Sequence, residues 1–340
     1  MRRFLLLAAV LTLLAPTAAE AATPARSWAQ PEIKLVVSRG LMASSVATFK
    51  PNAPLTQTAL SELVSGLTED EPGAVAQQGS TAQVTIAQLD AQLVRALGLG
   101  DEASNFYNAA ATAGTRPPAR FGTEVVARLL GLRKNHEAPH DELERLPSDP
   151  ATRAEAAYSA AQILRFSGSE LHQVEESAAV FELPELTTWQ RRILTTAFGR
   201  IGFPYVWGGE SDTRQSPFGP QASGGFDCSG FAWRVFKLQA YPGGAPLART
   251  LGGRTAAAMA GEVGPRRRIS FARLAPADLV FFANGGPRAK PTAVDHMGIN
   301  IGNGWMIHSS RYGVALVPLD GWFARRFAWG RRPILEAGLS

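Results

Sequence analysis

Gly225-Phe226-Asp227-Cys228-Ser229-Gly230-Phe231 leads into Ala232-Trp233-Arg234-Val235-Phe236-Lys237-Leu238, the most informative segment of this 340-residue chain. The apolar residues at 231, 235 and 238 share one helical stripe, which predicts a helix starting at Cys228 with Asp227 as its N-cap. The positive end of a helix stabilises an anion, so we expect the pKa of the Cys228 thiol to be lowered toward the reactive thiolate.

Cys228 is the only cysteine in the chain. A lone thiol is either a buried, inert side chain or a reactive group, and its predicted position at a helix start favours the second interpretation. A nucleophilic thiol needs a base, which directs attention to the histidines. Three of them stand among charged residues and are expected at the surface: His136, His140 and His172.

The other two histidines, His296 and His308, lie on predicted strands joined through 302–304. A three-residue loop pairs Ile299 with Ile307 and residue 301 with 305, and it places His308 diagonal to His296 on one face. His308 can then hydrogen-bond His296 while His296 faces the thiol and takes its proton. Two core histidines on a hairpin, or a zinc site built with Cys228, are the alternatives. Since no close-spaced ligand pair accompanies them, we expect no metal and no cofactor.

The N-terminus has the pattern of an export signal. Arg2 and Arg3 precede the apolar run 4–15, and Ala19-Glu20-Ala21 supplies small residues at a cleavage site, so 1–21 is predicted to be a signal peptide. A membrane anchor is the alternative, but it would need roughly 18 apolar residues. No later stretch is expected to span a membrane. We therefore expect the mature protein to be secreted, outside the cytoplasm and in the cell envelope or beyond it.

The composition is that of a folded protein, with 45% hydrophobic and 19% charged residues. Lys and Arg total 34 against 29 acidic residues, an excess too small and too scattered to indicate a nucleic-acid partner. Three arginine runs are candidates for docking onto anionic wall polysaccharide, although a solvated face is the plainer interpretation. They are Arg266-Arg267-Arg268, Arg325-Arg326 and Arg331-Arg332.

Residues 22–166 are predicted to form short helices, three of them led by threonines at 56, 85 and 152 that suit N-caps. Residues 28–67 resemble an S-layer homology repeat, a module that binds cell-wall polysaccharide, and Thr152-Arg153-Ala154-Glu155 matches that family's motif. A degenerate helical spacer is the alternative. Residues 167–187 are polar and acidic and are predicted to be a linker, and 188–340 read as an α+β domain.

Within 188–336 four separate motifs occur in order. They are Phe203-Pro204-Tyr205-Val206-Trp207-Gly208-Gly209, Phe226-Asp227-Cys228-Ser229-Gly230-Phe231, Asp278-Leu279-Val280-Phe281-Phe282, and His296-Met297-Gly298-Ile299 followed by Gly302-Asn303-Gly304-Trp305-Met306-Ile307-His308. Together they resemble the NlpC/P60 family of papain-like cell-wall cysteine peptidases. The resemblance implies helices packed on an antiparallel sheet, with Cys228 as nucleophile, His296 as base and His308 as the third member.

The resemblance also implies a substrate. Family enzymes typically cut peptidoglycan stem peptides between D-γ-glutamate and a diamino acid, and Tyr205, Asp227 and Ser229 occupy positions associated with recognising the N-terminal end of that peptide. Asp227 could equally serve only as a cap. A non-catalytic wall-binding protein, and an amidase or acyltransferase using the same Cys-His pair, remain alternatives. The chain departs from the family in its long segment 211–224 and in Ala277, where glycine is common.

Overall fold

The computed structural model describes residues 27–68, 80–217 and 219–340. The predicted signal peptide, 1–21, lies outside these residues. Within these described ranges, eight α-helices come first and a sheet follows. The helices are α1 (Gln30–Ser38), α2 (Gln57–Thr68), α3 (Ile86–Ala96), α4 (Gly100–Thr112), α5 (Phe121–Leu129), α6 (Arg153–Ile163), α7 (Ser169–Val180) and α8 (Thr188–Phe198).

The second half mixes strands with shorter helices. Its strands are β1 (Glu210–Ser211), β2 (Gly225–Phe226), β3 (Leu279–Phe282), β4 (His296–Gly302), β5 (Trp305–Ser310), β6 (Gly313–Pro318) and β7 (Phe327–Arg331). Its helices are α9 (Cys228–Trp233), α10 (Ala245–Ala248), α11 (Ala256–Gly261), α12 (Gly321–Arg326) and α13 (Pro333–Glu336). The five longer strands form an antiparallel sheet in the order β6-β5-β4-β3-β7. The protein thus combines helices with an antiparallel sheet.

Three threonine-led segments of the N-terminal half meet in a closed ring of backbone hydrogen bonds. The N–H of Leu55 donates to the carbonyl of Ala151, that of Ala151 to Val84, and that of Val84 back to Leu55, at 2.8, 2.8 and 2.9 Å. Each segment then enters a helix, α2, α3 or α6. The predicted threonine caps are confirmed, because Thr56, Thr85 and Thr152 each accept a hydrogen bond from a backbone N–H of the first turn.

The segment 167–187, expected as a linker, contains helix α7. Its residues Val174 and Ala178 are buried, and α7 packs on α4. Phe181, just after the helix, contacts Phe106 of α4 and Trp305 of β5 at ring-centroid distances of 4.9 and 5.1 Å. Two apolar residues within a polar stretch do not make a periodic pattern, so the sequence did not predict this helix. Within the described ranges, no helix is long and apolar enough to cross a membrane.

One continuous hydrophobic core joins the two halves. Phe121 of α5 lies 4.8 Å from Phe198 of α8, and Phe106 of α4 lies 6.0 Å from Trp305 of β5. All four side chains are buried and belong to the same cluster. The helical half is therefore packed against the sheet-containing half rather than attached to it by an extended connection.

Candidate active site

Cys228 is the first residue of α9, as predicted. Asp227 precedes the helix in an extended conformation, and its Oδ1 accepts a hydrogen bond from the N–H of Gly230 at 2.5 Å. Its Oδ2 accepts from the N–H of Gly208 at 3.0 Å, which ties the start of the helix to the preceding loop. The predicted cap is confirmed, and it places the thiol at the helix end nearest the sheet, where α9 packs on β4 and β5.

His296 and His308 lie side by side on β4 and β5. Nε2 of His296 is 2.7 Å from Nδ1 of His308, and the ring planes are nearly perpendicular. The predicted pairing of Ile299 with Ile307 is confirmed. The pairing of residue 301 with 305 was wrong, because a bulge shifts the register and sets Gly302 opposite Trp305. The bulge lies beyond the histidines toward the turn, so it leaves their shared face intact.

Aromatic side chains pack against this histidine pair. Phe282 stacks on His296 at 5.9 Å, and Phe323 contacts His308 at 5.2 Å. His308 is 2% exposed, and its Nε2 is buried without a hydrogen-bond partner among the described residues. Burial lowers the pKa of His296 to about 4 and lowers the pKa of His308 well below its ordinary value. Both imidazoles are therefore neutral at pH 7.

The expectation of a lowered Cys228 pKa was wrong. Burial raises the pKa of the thiol to about 12, and the neighbouring negative charge of Asp227 raises it further. Backbone N–H groups of Met297 and Ser229 hydrogen-bond the sulfur and oppose this effect, as does the more distant Arg254. Desolvation wins because it is the largest of these effects on the thiol, and the hydrogen bonds from the backbone only partly offset it. The resting pair is thus a thiol and a neutral imidazole.

Arg254 is a functional candidate that the sequence analysis missed. Its guanidinium donates to Asp227 Oδ1 at 3.1 Å, to Ser229 Oγ at 2.9 Å and to Glu210 Oε2 at 2.6 Å. It also donates to the carbonyls of Gly208 and 209. A single arginine in the segment 251–256 gives no sequence signal, because only the fold brings it to the start of α9.

The three predicted substrate-side residues, Tyr205, Asp227 and Ser229, lie together around this helix start. Tyr205 pairs in parallel with Phe226, directly before Asp227. Burial, followed by the charges of Cys228 and Asp227, raises the pKa of the Tyr205 phenol. Ser229 is buried and donates to Asp227 Oδ1 at 3.0 Å. The structure therefore gathers Tyr205, Asp227 and Ser229 at the start of α9, the helix that begins at Cys228 and packs on the strands of His296 and His308.

Other predicted features stand apart from this region. His140 and His172 are exposed as expected, whereas His136 is half-buried with its ring 4.7 Å from that of Trp28. Within the described residues, no group of three or more His, Cys, Asp or Glu side chains could hold a metal ion. Ala277 adopts a φ of +67°, a left-handed conformation that explains why a glycine is suited to this position.

One of the three arginine runs, Arg331-Arg332, is committed to internal ion pairs. Arg331 is 2% exposed and pairs with Glu262 and Glu336. Arg332 pairs with Asp278. Arg326 pairs with Asp295. The side chains of Arg266, Arg267 and Arg325 are exposed. Part of the predicted cationic surface therefore stabilises the fold instead, and the rest stays exposed.

Comparison with known proteins identifies the second half. Residues 202–332 match the model of the NlpC/P60 family. The chain is 32% identical over 139 residues to "Probable endopeptidase p60" of Listeria innocua, covering 41% of this chain and 22% of that protein. It is 30% identical over 143 residues to "Gamma-D-glutamyl-L-lysine dipeptidyl-peptidase" of Bacillus subtilis, covering 42% and 39%. The chain thus spans well under half the length of these relatives.

Among solved structures, an NlpC/P60 family protein from Bacillus cereus aligns with a TM-score of 0.32 and 25% identity, covering 44% of this chain and 41% of that one. The family match spans the helix that carries the thiol and both histidine strands. The part of the chain that carries the candidate site, residues 202–332, is therefore similar to the NlpC/P60 family.

Proposed function

We propose that this protein is a secreted peptidoglycan endopeptidase that hydrolyses the D-γ-glutamyl–diamino acid bond of stem peptides. The observation that carries the proposal is the 2.7 Å contact between His296 and His308 on strands packed against the helix that begins at Cys228. The family match and the relatives' names, which include endopeptidases and a γ-D-glutamyl peptidase, support the reaction class.

The resting pair is neutral, so the thiol must lose its proton as it attacks. Nδ1 of His296 takes that proton, while its Nε2–H donates to Nδ1 of His308 and fixes the ring and its tautomer. The sulfur bonds to the amide carbon, and the electron pair moves to the carbonyl oxygen. Backbone N–H groups near the start of α9 hold this oxyanion. The oxyanion then re-forms the carbonyl and the C–N bond breaks, while His296 protonates the departing amine. His296 next takes a proton from water as the water oxygen attacks the thioester, and it returns that proton to the sulfur when the C–S bond breaks and the acid leaves.

The role of His308 follows from the tautomer. If His296 donates through Nε2, then Nδ1 of His308 is the acceptor and its own proton sits on Nε2, which is buried without a partner. His308 can therefore stabilise the imidazolium of His296 by accepting a hydrogen bond, without carrying charge itself. Such an orienting group resembles the third member of a triad, although a neutral ring stabilises the cation less than a carboxylate.

The hydrogen bonds of Asp227 refine its proposed substrate role. Its two oxygens already accept from Gly230, Gly208, Ser229 and Arg254. Because both oxygens of this carboxylate already accept hydrogen bonds, its main role is to cap and anchor the start of the helix. The Tyr205 hydroxyl has no hydrogen-bond partner within the described residues, so it is the group best placed to meet the N-terminal part of a stem peptide.

Digestion of defined muropeptides by the wild type and by Cys228→Ala tests this function. We expect the wild type to release fragments whose masses correspond to cleavage after D-γ-glutamate, and the alanine variant to release none while keeping its circular dichroism. Cleavage at another amide would identify an amidase, and transfer to an added amine would identify an acyltransferase. Binding of wall without turnover by both proteins would identify a non-catalytic binding protein and overturn the proposal.

We further propose that the N-terminal helical region binds wall polysaccharide, as an S-layer-homology-like module would. The closed ring of hydrogen bonds between the segments led by Thr56, Thr85 and Thr152 supports this, because short repeats cannot bury their apolar faces alone and must pack on one another. Only the third segment carries the full motif, and its Arg153 is held by the carbonyls of Phe49 and Met42.

Co-sedimentation of full-length Cys228→Ala with purified wall tests this binding. We expect pelleting with intact wall and less pelleting after its anionic polysaccharide is removed by acid extraction. Equal pelleting with both would contradict a polysaccharide-directed module. Export is tested separately by N-terminal sequencing of protein recovered from the culture medium, which we expect to begin at Ala22. A chain retaining residues 1–21 would contradict the signal peptide.

A further inference from the structure

A side chain from the helical half reaches the backbone of a predicted substrate-binding residue. Nδ2 of Asn135 donates to the carbonyl of Tyr205 at 2.7 Å, and Oδ1 of Asn135 accepts from the N–H of Tyr205, also at 2.7 Å. Asn135 lies 70 residues upstream, in the loop after α5. One amide thus binds both polar backbone groups of one residue, as a neighbouring strand would.

These two hydrogen bonds complete the local backbone pairing. Phe226 uses the groups on either side of Tyr205, because its N–H donates to the carbonyl of Pro204 and its carbonyl accepts from the N–H of Val206. Tyr205's own N–H and C=O point away from Phe226 and toward Asn135. The Tyr205 segment is therefore held on one side by the strand that leads to Cys228 and on the other by the helical half.

A second contact from the same part of the chain secures the start of this segment. Arg128 of α5 is 5% exposed, and its guanidinium donates to the carbonyls of Gly202 and Tyr312. Tyr312 lies in the turn that follows β5, the strand of His308. The fit is close, since a Cβ on Gly313 would lie 2.9 Å from Arg128 Nη1. Relative displacement of the two halves would therefore disturb these contacts.

We propose that Asn135 is a positioning residue of the candidate active site, acting through Tyr205, so that the helical half forms part of the substrate cleft. This inference rests on the proposed function for the role of Tyr205. Cys228, His296 and His308 are placed by α9, β4 and β5 instead. Loss of Asn135 therefore displaces the substrate-side group while leaving the thiol and its histidines in place.

Asn135→Ala in the full-length chain tests the inference, with Asn108→Ala as the matched control because Asn108 is an exposed asparagine in the same half. We expect kcat/KM for a stem peptide to fall about 10-fold to 100-fold, mostly through a higher KM, since displacements near 1 Å have effects of this size. The rate of Cys228 alkylation by iodoacetamide stays unchanged, and the control variant behaves as the wild type.

Hydrogen exchange supplies a measurement that does not require activity. The Tyr205 amide is expected to exchange faster in Asn135→Ala than in the wild type and in Asn108→Ala. Should the alanine variant fail to fold, Asn135→Asp keeps the side-chain volume and the acceptor but replaces the donor with an oxygen that faces the Tyr205 carbonyl, and we expect KM to increase there too. Unchanged Tyr205 exchange and unchanged KM would overturn the inference. A wild type that cleaves no muropeptide but shows the exchange difference would refute the proposed function alone.

Discussion

Replacement of His296 by glutamine is expected to flatten the dependence of stability on pH. The folded-state pKa of His296 is lowered to about 4 by burial, against 6.5 for an exposed histidine. Between these values the unfolded chain binds a proton that the folded chain does not, so stability decreases as pH falls. From pH 7 to pH 5 this one group removes about 2 kcal/mol of unfolding free energy.

Urea unfolding followed by tryptophan fluorescence, at pH 7 and pH 5, measures this effect in the wild type and in His296→Gln. Glu124 and Glu144, whose pKa values burial raises to about 7 and about 8, act in the opposite direction because they hold protons when folded. They are common to both proteins and cancel in the difference. We expect the wild type to lose about 2 kcal/mol more than the variant. Equal losses of unfolding free energy in the wild type and in His296→Gln would refute the assignment of His296 as a buried, neutral imidazole.

Three further substitutions follow from the contacts described. His308→Ala is expected to lower kcat about 100-fold or more in a muropeptide assay, with a circular dichroism spectrum like the wild type, because the base loses its orienting partner; unchanged kcat would remove His308 from the mechanism. Arg254→Met should lower the unfolding free energy by about 2–3 kcal/mol and raise KM, since it leaves buried carboxylate oxygens short of donors; an unaltered urea midpoint would contradict this. Gly122→Ala should lower the melting temperature strongly, because its Cβ would lie 1.8 Å from the carbonyl oxygen of Ala103. Gly100→Ala is the control, since its Cβ meets nothing within 4 Å and should leave the melting temperature unchanged. Equal melting temperatures of the two variants would show that α4 and α5 are not so closely packed.

Local rules predicted the helix start and the histidine pair. The cap at Asp227 depends on a few neighbouring residues, and the shared face of His296 and His308 depends only on strand alternation and loop length. Those features could be read from short segments. The bulge at Gly302 could not, because the surroundings of Gly302 include Pro184, which is distant in sequence and lies where a Cβ on Gly302 would be.

Features that depend on tertiary packing were missed or mistaken. The Cys228 thiol was expected to be acidic from its helix position, but the depth at which α9 is buried decides its pKa. Arg254 and Asn135 reach the site from distant parts of the chain, and a lone arginine or asparagine carries no pattern. Arg331 and Arg332 resemble a surface charge run in the sequence, yet the fold gives each an internal acidic partner.

Trapping the acyl-enzyme tests the central claim most directly. Full-length protein is mixed with a stem peptide, quenched in acid within milliseconds to seconds, digested and analysed by mass spectrometry. We predict a thioester on the peptide that contains Cys228, with the mass of the amino-terminal fragment of the substrate, and its absence in Cys228→Ala. Turnover that proceeds without any adduct on Cys228, and that persists in Cys228→Ala, would contradict the account.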